Sequence, residues 1–440
     1  MSAPTGPSGP RRPHGPSGRP FLQIPGPTNV PDRILRAMDR PVIDHRGPEF
    51  AALTRSILPL LRRVFGTRQG QVAIYPASGT GAWEAALVNV LAPGERVLAF
   101  TYGHFSAQFA QTARDLGFTV DEVPLRWGQE LPPEEVEARL RQDGAGRPYR
   151  AVLVVHNETS TGVTCDVGAI RQAIDAAGHD ALLIVDVVSS LASIEFRFDE
   201  WRVDVALCGS QKGLMLPPGL GILCISPRAR EIAERGGSPR HFFDWRPILR
   251  ENEAGFFPYT PATLLLFGLR EALQMLVEEE GLPAVYARHQ RLADGVRAAV
   301  RAWQPWGAGI LCERPACYSN TLTAVVMPDG IDADAVIRQA RERFRLALGV
   351  GLGRLKGRVL RIGHLGALNE LEVLATVAGV ELALRACGVP LSLGAGVAAC
   401  QQRFAEPGPA AGQEGDHGRR HGQPLPAAPA AVPAASASTP

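Results

Sequence analysis

Short apolar runs alternate with helical patterns over the first half of the chain. Five of these runs are rich in β-branched residues and nearly free of polar positions: residues 96–101, 151–156, 181–186, 203–208 and 221–226. Unbroken apolar character is typical of strands that are buried on both faces of a sheet. Helical periodicity lies between several of the runs. The alternation therefore predicts an α/β fold with a parallel or mixed sheet.

The pattern changes after about residue 260. Amphipathic helical patterns cover residues 263–280 and 284–303, and short apolar runs follow near residues 320–327 and 358–363. Such a sequence of elements is typical of a smaller α+β unit that follows a larger α/β unit. We therefore expect a domain boundary close to residue 260.

The two ends of the chain differ in composition from the body between them. Both are rich in Pro, Gly and small residues, and such segments bury too little apolar surface to offset their ordering entropy. Residues 1–20 and 404–440 are therefore predicted to be disordered tails. Between them we expect a large domain at residues 21–260 and a small C-terminal domain at residues 261–403.

Charge and cysteine content exclude several classes of protein. The formal net charge is +2, which gives no strong attraction to nucleic acid or to a membrane surface. No apolar stretch of about 18 residues predicts a membrane span, and the first residues lack the apolar core of a secretory signal. We therefore expect a cytoplasmic protein. The seven cysteines form no CxxC pair, so reduced thiols and no metal site are expected.

Several polar groups follow the predicted strands directly. Asp186 ends one strand, the run at residues 156–159 follows another, and Lys212 lies just after a third. Ligands of open α/β sheets bind beyond the carboxyl ends of the strands. These groups are therefore predicted to share one site.

Lys212 and Asp186 each allow two interpretations. A lysine after an apolar strand either caps the strand and reaches solvent or is buried, and burial favours conversion of its amine to an imine with an aldehyde. Asp186 either caps a helix or turn or faces the ring nitrogen of pyridoxal phosphate, which a carboxylate keeps protonated. The two residues taken together favour the cofactor interpretation.

Two further segments carry candidate anion-binding groups. A helix is predicted to begin near Gly81, so its free N–H groups and the residues Ser78, Gly79 and Thr80 either cradle a phosphate or form a simple cap. Arg361 lies in a predicted apolar strand, where its guanidinium binds either a substrate carboxylate or a structural partner.

Together these motifs resemble those of the serine–glyoxylate aminotransferases, relatives of the alanine–glyoxylate enzymes in class V of the fold-type I pyridoxal-phosphate enzymes. The matching segments are residues 26–31, 44–50, 78–84, 155–163, 209–213, 258–262 and 361–366. The resemblance extends from about residue 22 to about residue 400. It implies a fold-type I PLP transferase with a mostly parallel, seven-stranded sheet, a smaller C-terminal α+β domain, and a homodimer with shared active sites to which the N-terminal segment contributes.

The resemblance also implies a role for each motif residue. Lys212 resembles the Schiff-base lysine, and Asp186 resembles the partner of the pyridine nitrogen. The residues that resemble other cofactor contacts are Ser78, Gly79, Thr80 and Gln211 at the phosphate, Thr159 at the 3′-hydroxyl, Phe105 stacked on the ring, and Tyr259 and Thr260 at the phosphate of the neighbouring subunit. The residues that resemble substrate contacts are Arg361 at the carboxylate, and His45 and Arg46 across the dimer.

Two positions depart from the family pattern. Leu264 stands where a polar residue is expected, and Arg202 stands where a glycine is expected. Neither position belongs to the motif residues. Leu264 leaves the details near the dimer phosphate site open.

The implied reaction is transamination between L-serine and glyoxylate, which gives hydroxypyruvate and glycine in two half-reactions, with Lys212 as general base and acid. An alanine–glyoxylate enzyme or another small-amino-acid aminotransferase on the same scaffold is the main alternative. A lyase of this fold needs a reactive cysteine, whereas Cys208 lies in a predicted buried strand. A binding protein without chemistry is the remaining class. His364 is either catalytic or structural.

Overall fold

A computed structural model describes residues 20–144 and 146–407, so nearly all of the two predicted tails lies outside the described residues. The strands are β1 Phe21–Gln23, β2 Gln71–Tyr75, β3 Arg96–Thr101, β4 Thr119–Pro124, β5 Tyr149–Val155, β6 Asn157–Glu158, β7 Val163–Thr164, β8 Leu182–Asp186, β9 Val205–Gly209, β10 Gly221–Ile225, β11 Gly309–Ile310, β12 Leu322–Val326, β13 Leu346–Val350 and β14 Val359–Gly363.

The helices connect these strands and cover the sheets. They are α1 Asp32–Met38, α2 Pro48–Phe65, α3 Gly79–Val90, α4 His104–Asp115, α5 Pro133–Arg141, α6 Val167–Ala176, α7 Pro227–Arg235, α8 Trp245–Ala254, α9 Thr263–Leu273, α10 Leu282–Trp303, α11 Ala333–Phe344, α12 Glu370–Ala386 and α13 Ala395–Ala405. A π-helical segment, Gln274–Glu279, continues α9. No described helix is both long enough and apolar enough to cross a membrane.

The larger sheet has seven strands in the order β2–β10–β9–β8–β5–β3–β4. β10 is antiparallel to both of its neighbours, and the other pairs are parallel. The mostly parallel sheet expected from the sequence is therefore confirmed. All five apolar runs form strands, with ends that shift by at most two residues. The strands β2 and β4 were not predicted from the sequence. β4 is a partly exposed edge strand with polar positions.

The smaller sheet combines residues from both ends of the described chain. Its five strands have the order β1–β13–β14–β12–β11, and β1 pairs in parallel with β13. Helices α10 to α13 bury their apolar faces with this sheet in a second core. The boundary near residue 260 stays a prediction. Two elements lie on the opposite side of this boundary from their core. β1 joins the C-terminal sheet, and α9 packs with α1 and α2 in the core of the larger sheet.

A buried carboxylate joins three helices of the second core. Glu381 in α12 accepts hydrogen bonds from Trp303 Nε1 at 3.0 Å, from Gly396 N at 2.6 Å and from Gly394 N at 2.6 Å. Two of the donors are backbone groups at the N-terminus of α13, so Glu381 caps that helix from a neighbouring one. This carboxylate lies in a different core from the site described next.

Candidate active site

One cavity opens where β5, β8 and β9 end and α3 begins. Its volume is about 150 Å³. Eight residues predicted from the sequence line it: Ser78, Gly79, Thr80, Phe105, Thr159, Asp186, Gln211 and Lys212. Five further residues complete the lining: Trp83, Val155, Asn157, Val188 and Ser189. The structure therefore brings most of the predicted groups together at the carboxyl edge of the sheet, as the strand-end argument requires.

The N-terminus of α3 forms one end of the cavity. Ser78 is the N-cap residue, and its Oγ accepts a hydrogen bond from Gly81 N at 3.4 Å. The first N–H groups of a helix have no partner within the helix, and the helix dipole adds a partial positive charge there. Gln211 also lines the cavity, and its amide NH2 group can donate to an anion there. These donors suit a phosphate group.

Lys212 follows β9 and is held by the N-terminal segment of the chain. Its Nζ donates to the carbonyl oxygen of Pro25, and a Cβ on Gly26 would overlap the lysine side chain. Gly26 also has φ +108°, which favours glycine. The pKa of Lys212 is lowered to about 8, chiefly by burial and also by the positive charge of Arg361, while the negative charge of Asp186 opposes both. An uncharged amine is therefore available near neutral pH.

Lys212 is also chemically distinct within this chain. The sequence contains only one other lysine, Lys356, and its remaining cationic side chains are arginines. Lys356 is exposed in the loop before β14. Arginine stays protonated in proteins and is a poor nucleophile. Lys212 is therefore the residue of the cavity lining whose amine can react with an aldehyde.

Asp186 ends β8 and points into the cavity from a buried position. Its Oδ2 accepts a hydrogen bond from Trp83 Nε1 at 2.7 Å, and its Oδ1 accepts one from Val188 N at 2.7 Å. Burial raises the pKa of Asp186 to about 7, although both hydrogen bonds favour the charged form. A cation bound against this carboxyl would stabilise its ionised form, so the position suits a protonated ring nitrogen.

A hydroxyl network supports the wall of the cavity opposite α3. Thr159 Oγ1 donates to Ser189 Oγ at 2.8 Å, and Ser189 Oγ donates to Asn157 O at 2.8 Å. Asn157 Nδ2 donates to Ser189 Oγ at 2.7 Å and to Thr321 Oγ1 at 2.9 Å. Because the hydroxyl proton of Thr159 is engaged with Ser189, its oxygen faces the cavity as an acceptor.

Arg361 lies behind this wall in β14. Its Nη1 donates to Thr159 O at 3.0 Å, and its Nε donates to Val350 O at 2.8 Å. The side chain is buried and has no salt-bridge partner among the residues that the structure describes. Burial lowers the pKa of Arg361 to about 10, whereas the negative charge of Glu158 raises it. A buried guanidinium with donors left over suits a carboxylate ligand.

Four predicted residues lie away from the cavity of their own chain. Tyr259 donates its hydroxyl to Ile74 O at 3.1 Å, and its ring stacks on Phe242 with centroids 5.1 Å apart. Thr260 is exposed. Arg46 contacts the His45 ring at 2.8 Å in the loop before α2. A single chain therefore does not assemble these four with the others.

The two departures from the family pattern lie outside the cavity lining. Arg202 has φ 44°, a conformation that favours glycine, and its guanidinium pairs with Asp175. Leu264 is half-buried in the first turn of α9. Of the other candidates, Cys208 is buried in β9 and does not line the cavity.

His364 has both ring nitrogens engaged in the smaller sheet. Its Nε2 lies 3.0 Å from Thr323 Oγ1 and its Nδ1 lies 3.1 Å from Asn320 O. The ring is fully buried, which lowers its pKa well below the usual value. These contacts favour the structural interpretation.

Three polar residues of the site were not singled out from the sequence. The sequence marks Trp83 only as an apolar position at helical spacing with Leu87 and Val90, although it lies one turn after the start of α3. Asn157 stood inside a run that was recognised, two positions before Thr159. Ser189 follows Asp186 at the end of β8. Position just beyond a strand end was the signal available for Ser189.

Comparisons with known proteins agree with this geometry. A model of the family described as Aminotransferase class-V matches residues 21–349. The serine–glyoxylate aminotransferase of Methylorubrum extorquens is 48% identical, over 88% of this chain and 97% of that protein. The L-aspartate–glyoxylate aminotransferase of Paracoccus denitrificans is 44% identical, over 87% of this chain and 95% of that protein. The solved ureidoglycine–glyoxylate aminotransferase of Bacillus subtilis has a TM-score of 0.81 at 27% identity, covering 89% of this chain and 100% of that one.

The raised pKa of Asp186 predicts a pH dependence of stability in the ligand-free protein. Its folded-state pKa of about 7 exceeds the ordinary value of 3.8, so between these values the folded protein holds a proton that the unfolded chain releases. The free energy of unfolding therefore falls as pH rises through this window. Relative to Asp186→Asn, the wild-type protein should lose on the order of 3–4 kcal/mol between pH 4 and pH 7.

Urea denaturation of the ligand-free proteins at a series of pH values measures this difference. Asp186→Asn also disturbs the hydrogen bonds from Trp83 and Val188, but that effect is a constant offset, so the slope carries the test. Asp329→Asn, at an exposed position, is the control and should leave the slope unchanged. Parallel curves for wild type and Asp186→Asn would contradict the prediction.

Proposed function

Because the chain belongs to the class-V aminotransferase family, we propose that it uses pyridoxal phosphate to transfer the amino group of L-serine to glyoxylate. The seven-stranded sheet and the smaller C-terminal sheet are those of a fold-type I enzyme, as the sequence resemblance implied. The observation that carries the proposal is one cavity with the Lys212 amine, the Asp186 carboxyl and the N-terminus of α3 on its wall. The relatives named above supply the substrate pair.

The residues of the cavity fit the cofactor group by group. The N–H groups at Ser78, Gly79 and Thr80 and the amide NH2 group of Gln211 would hold the phosphate. Asp186 pairs with the ring nitrogen. When bound, pyridoxal phosphate supplies an electron-accepting ring that stabilises negative charge at the substrate α-carbon.

Two apolar and two hydroxyl groups complete the proposed contacts. Phe105 and Val188 line the cavity and are assigned to the faces of the ring. The oxygen of Thr159 accepts a hydrogen bond from the 3′-hydroxyl, since its own proton is engaged with Ser189. Ser189 thereby fixes the orientation of the Thr159 hydroxyl.

Lys212 has two tasks in the proposed reaction. Its amine holds the cofactor covalently at rest, and a pKa near 8 keeps a usable fraction uncharged at neutral pH. When the substrate amine replaces it, the free amine would take the proton from the substrate α-carbon and deliver it to the carbon that carried the cofactor aldehyde, a 1,3-transfer across the nitrogen. The nearby Asp186 remains ionised while it pairs with the ring nitrogen. Glyoxylate then accepts the amino group in the second half-reaction.

Arg361 is assigned to the α-carboxylate of the substrate. It is buried behind Thr159 and has no carboxylate partner of its own among the described residues. Serine is the proposed donor because it is the donor named for the serine–glyoxylate relative, which is 48% identical to this chain. Alanine remains the second candidate donor, because an apolar pocket discriminates weakly against one hydroxyl group.

A homodimer accounts for the four predicted residues outside the cavity. In this proposal His45 and Arg46 reach the substrate, and Tyr259 and Thr260 the phosphate, in the active site of the other subunit. Two exposed apolar side chains lie beside them: Val42 is 71% exposed and Phe242 is 43% exposed. An interface that covers both would bury apolar surface at this position. We keep the cytoplasm as the proposed location.

Replacing the lysine tests the proposed chemistry. With pyridoxal phosphate, serine and glyoxylate, the wild-type protein should form hydroxypyruvate and glycine, and Lys212→Ala should be slower by at least about a thousandfold. Lys356→Ala removes the other lysine at an exposed position and should keep the wild-type rate. Product formation is followed by chromatography.

The same assay compares serine, alanine and aspartate as donors. The proposal expects kcat/KM for serine to be the highest of the three, since serine is the donor named for the 48% identical relative. Undiminished activity in Lys212→Ala would contradict the mechanism, and a clear preference for aspartate would contradict the assignment of substrate.

Mixed dimers test the shared active sites. Lys212→Ala and Arg46→Ala are each expected to impair both sites of their own homodimer. In a heterodimer of the two variants, one site has an intact lysine and an intact partner arginine. Co-expression should therefore restore about a quarter of the wild-type activity, because half of randomly assembled dimers have one intact site of two. Activity no higher than the mean of the separate variants would contradict a shared site.

A further inference from the structure

Glu158 is a fully buried acidic residue directly behind the cavity wall. It lies in β6 between Asn157 and Thr159, which both line the cavity, but its own side chain does not. Its carboxylate accepts hydrogen bonds from Phe105 N at 3.3 Å and from Ser106 N at 2.8 Å. It also accepts them from Ser160 N at 3.1 Å and from Ser160 Oγ at 2.7 Å. None of the roles assigned so far uses this group.

These contacts cap the N-terminus of α4 with side chains that are distant from it in sequence. The N-cap position is Gly103, which has no side chain with which to cap the helix. Glu158 binds two successive N–H groups instead, and Ser160 Oγ accepts from the preceding one, His104 N, at 2.9 Å. Gly103 permits this approach, because a Cβ there would overlap Cγ and Cδ of Glu158. The first turn of α4 is thus fixed to Glu158 and Ser160, the two residues on either side of Thr159.

The fixed turn carries a residue of the cavity. Phe105 is the second residue of α4, and its ring lines the cavity beside Thr80 and Thr159. A side chain in the first helical turn follows the position of its own backbone, and the backbone N–H of Phe105 is bound to Glu158. The negative charge of Glu158 also raises the pKa values of Asp186 and Arg361. Glu158 therefore interacts electrostatically with both of these residues.

We propose that Glu158 is a positioning residue of the active site, which holds the Phe105 ring against the cofactor by binding the first turn of α4. It touches neither cofactor nor substrate. The inference rests on the proposed function, since it assigns the cofactor to this cavity. The proposed function does not say what fixes the stacking ring. The inference assigns this role to a carboxylate that is distant in sequence from α4.

Glu158→Gln tests the role with little change of shape. An amide offers one acceptor oxygen, and its NH2 group must face one of the N–H donors of α4, so one hydrogen bond becomes a contact between two donors. The dissociation constant of pyridoxal phosphate for the ligand-free protein should rise about tenfold. The visible circular dichroism of the bound cofactor, which reports the asymmetry around its ring, should decrease.

A double-mutant cycle with Phe105→Leu shows whether Glu158 acts through the ring. If it does, Glu158→Gln weakens cofactor binding much less in the Phe105→Leu background than in wild type. Effects that multiply independently would overturn the proposal. Ser160→Ala is the milder second variant, since it keeps the carboxylate and removes only the hydroxyl that links it to His104. It should change the affinity in the same direction, and it replaces Glu158→Gln if that variant does not fold.

Glu381→Gln is the matched control. Glu381 is also a buried carboxylate that caps a helix from a distance, but it lies in the second core. Both variants should lower the melting temperature, and only Glu158→Gln should change cofactor affinity and visible dichroism. Loss of stability with wild-type affinity and dichroism in Glu158→Gln would overturn the positioning role alone. A wild-type protein that binds no pyridoxal phosphate would overturn the proposed function as well.

Discussion

The enclosure of one lysine amine beside a buried carboxyl is the constraint on which the site depends. Burial favours the uncharged form of Lys212 and the protonated form of Asp186, so the pKa of each group is shifted toward its neutral form. The sheet imposes this arrangement, because β8 ends at Asp186 and β9 ends just before Lys212. A ligand that takes up the amine covalently and places a cation against the carboxyl relieves both constraints together.

The two sheets contribute different parts of the site and are connected through its wall. The larger sheet supplies the lysine, the aspartate and the anion-binding helix. The smaller sheet supplies Arg361, whose guanidinium donates to Thr159 O, and Thr321, just before β12, accepts a hydrogen bond from Asn157. A substrate carboxylate bound at Arg361 is therefore one hydrogen bond away from the proposed cofactor contact at Thr159.

The sequence pattern predicted the main strands and most of the residues that line the cavity, and the physical reasons are clear. Strands buried on both faces are unbroken apolar runs, and their ends locate Asp186 and Lys212. The edge strand β4 has polar positions and so lacks that signal. The roles of Trp83 and Ser189 depend on which way a side chain points and on hydrogen bonds between distant segments. Neither property is encoded in local periodicity, and the same is true of the cap that Glu158 forms on α4.

The bond between the amine of Lys212 and the cofactor aldehyde is the central claim, and chemical trapping tests it most directly. The cofactor-loaded protein is reduced with borohydride, digested, and mapped by mass spectrometry. With only two lysines in the chain, the assignment is unambiguous. The account predicts the reduced cofactor on the peptide that contains Lys212 and none on the peptide that contains Lys356. Label on Lys356, or no retained label, would contradict it.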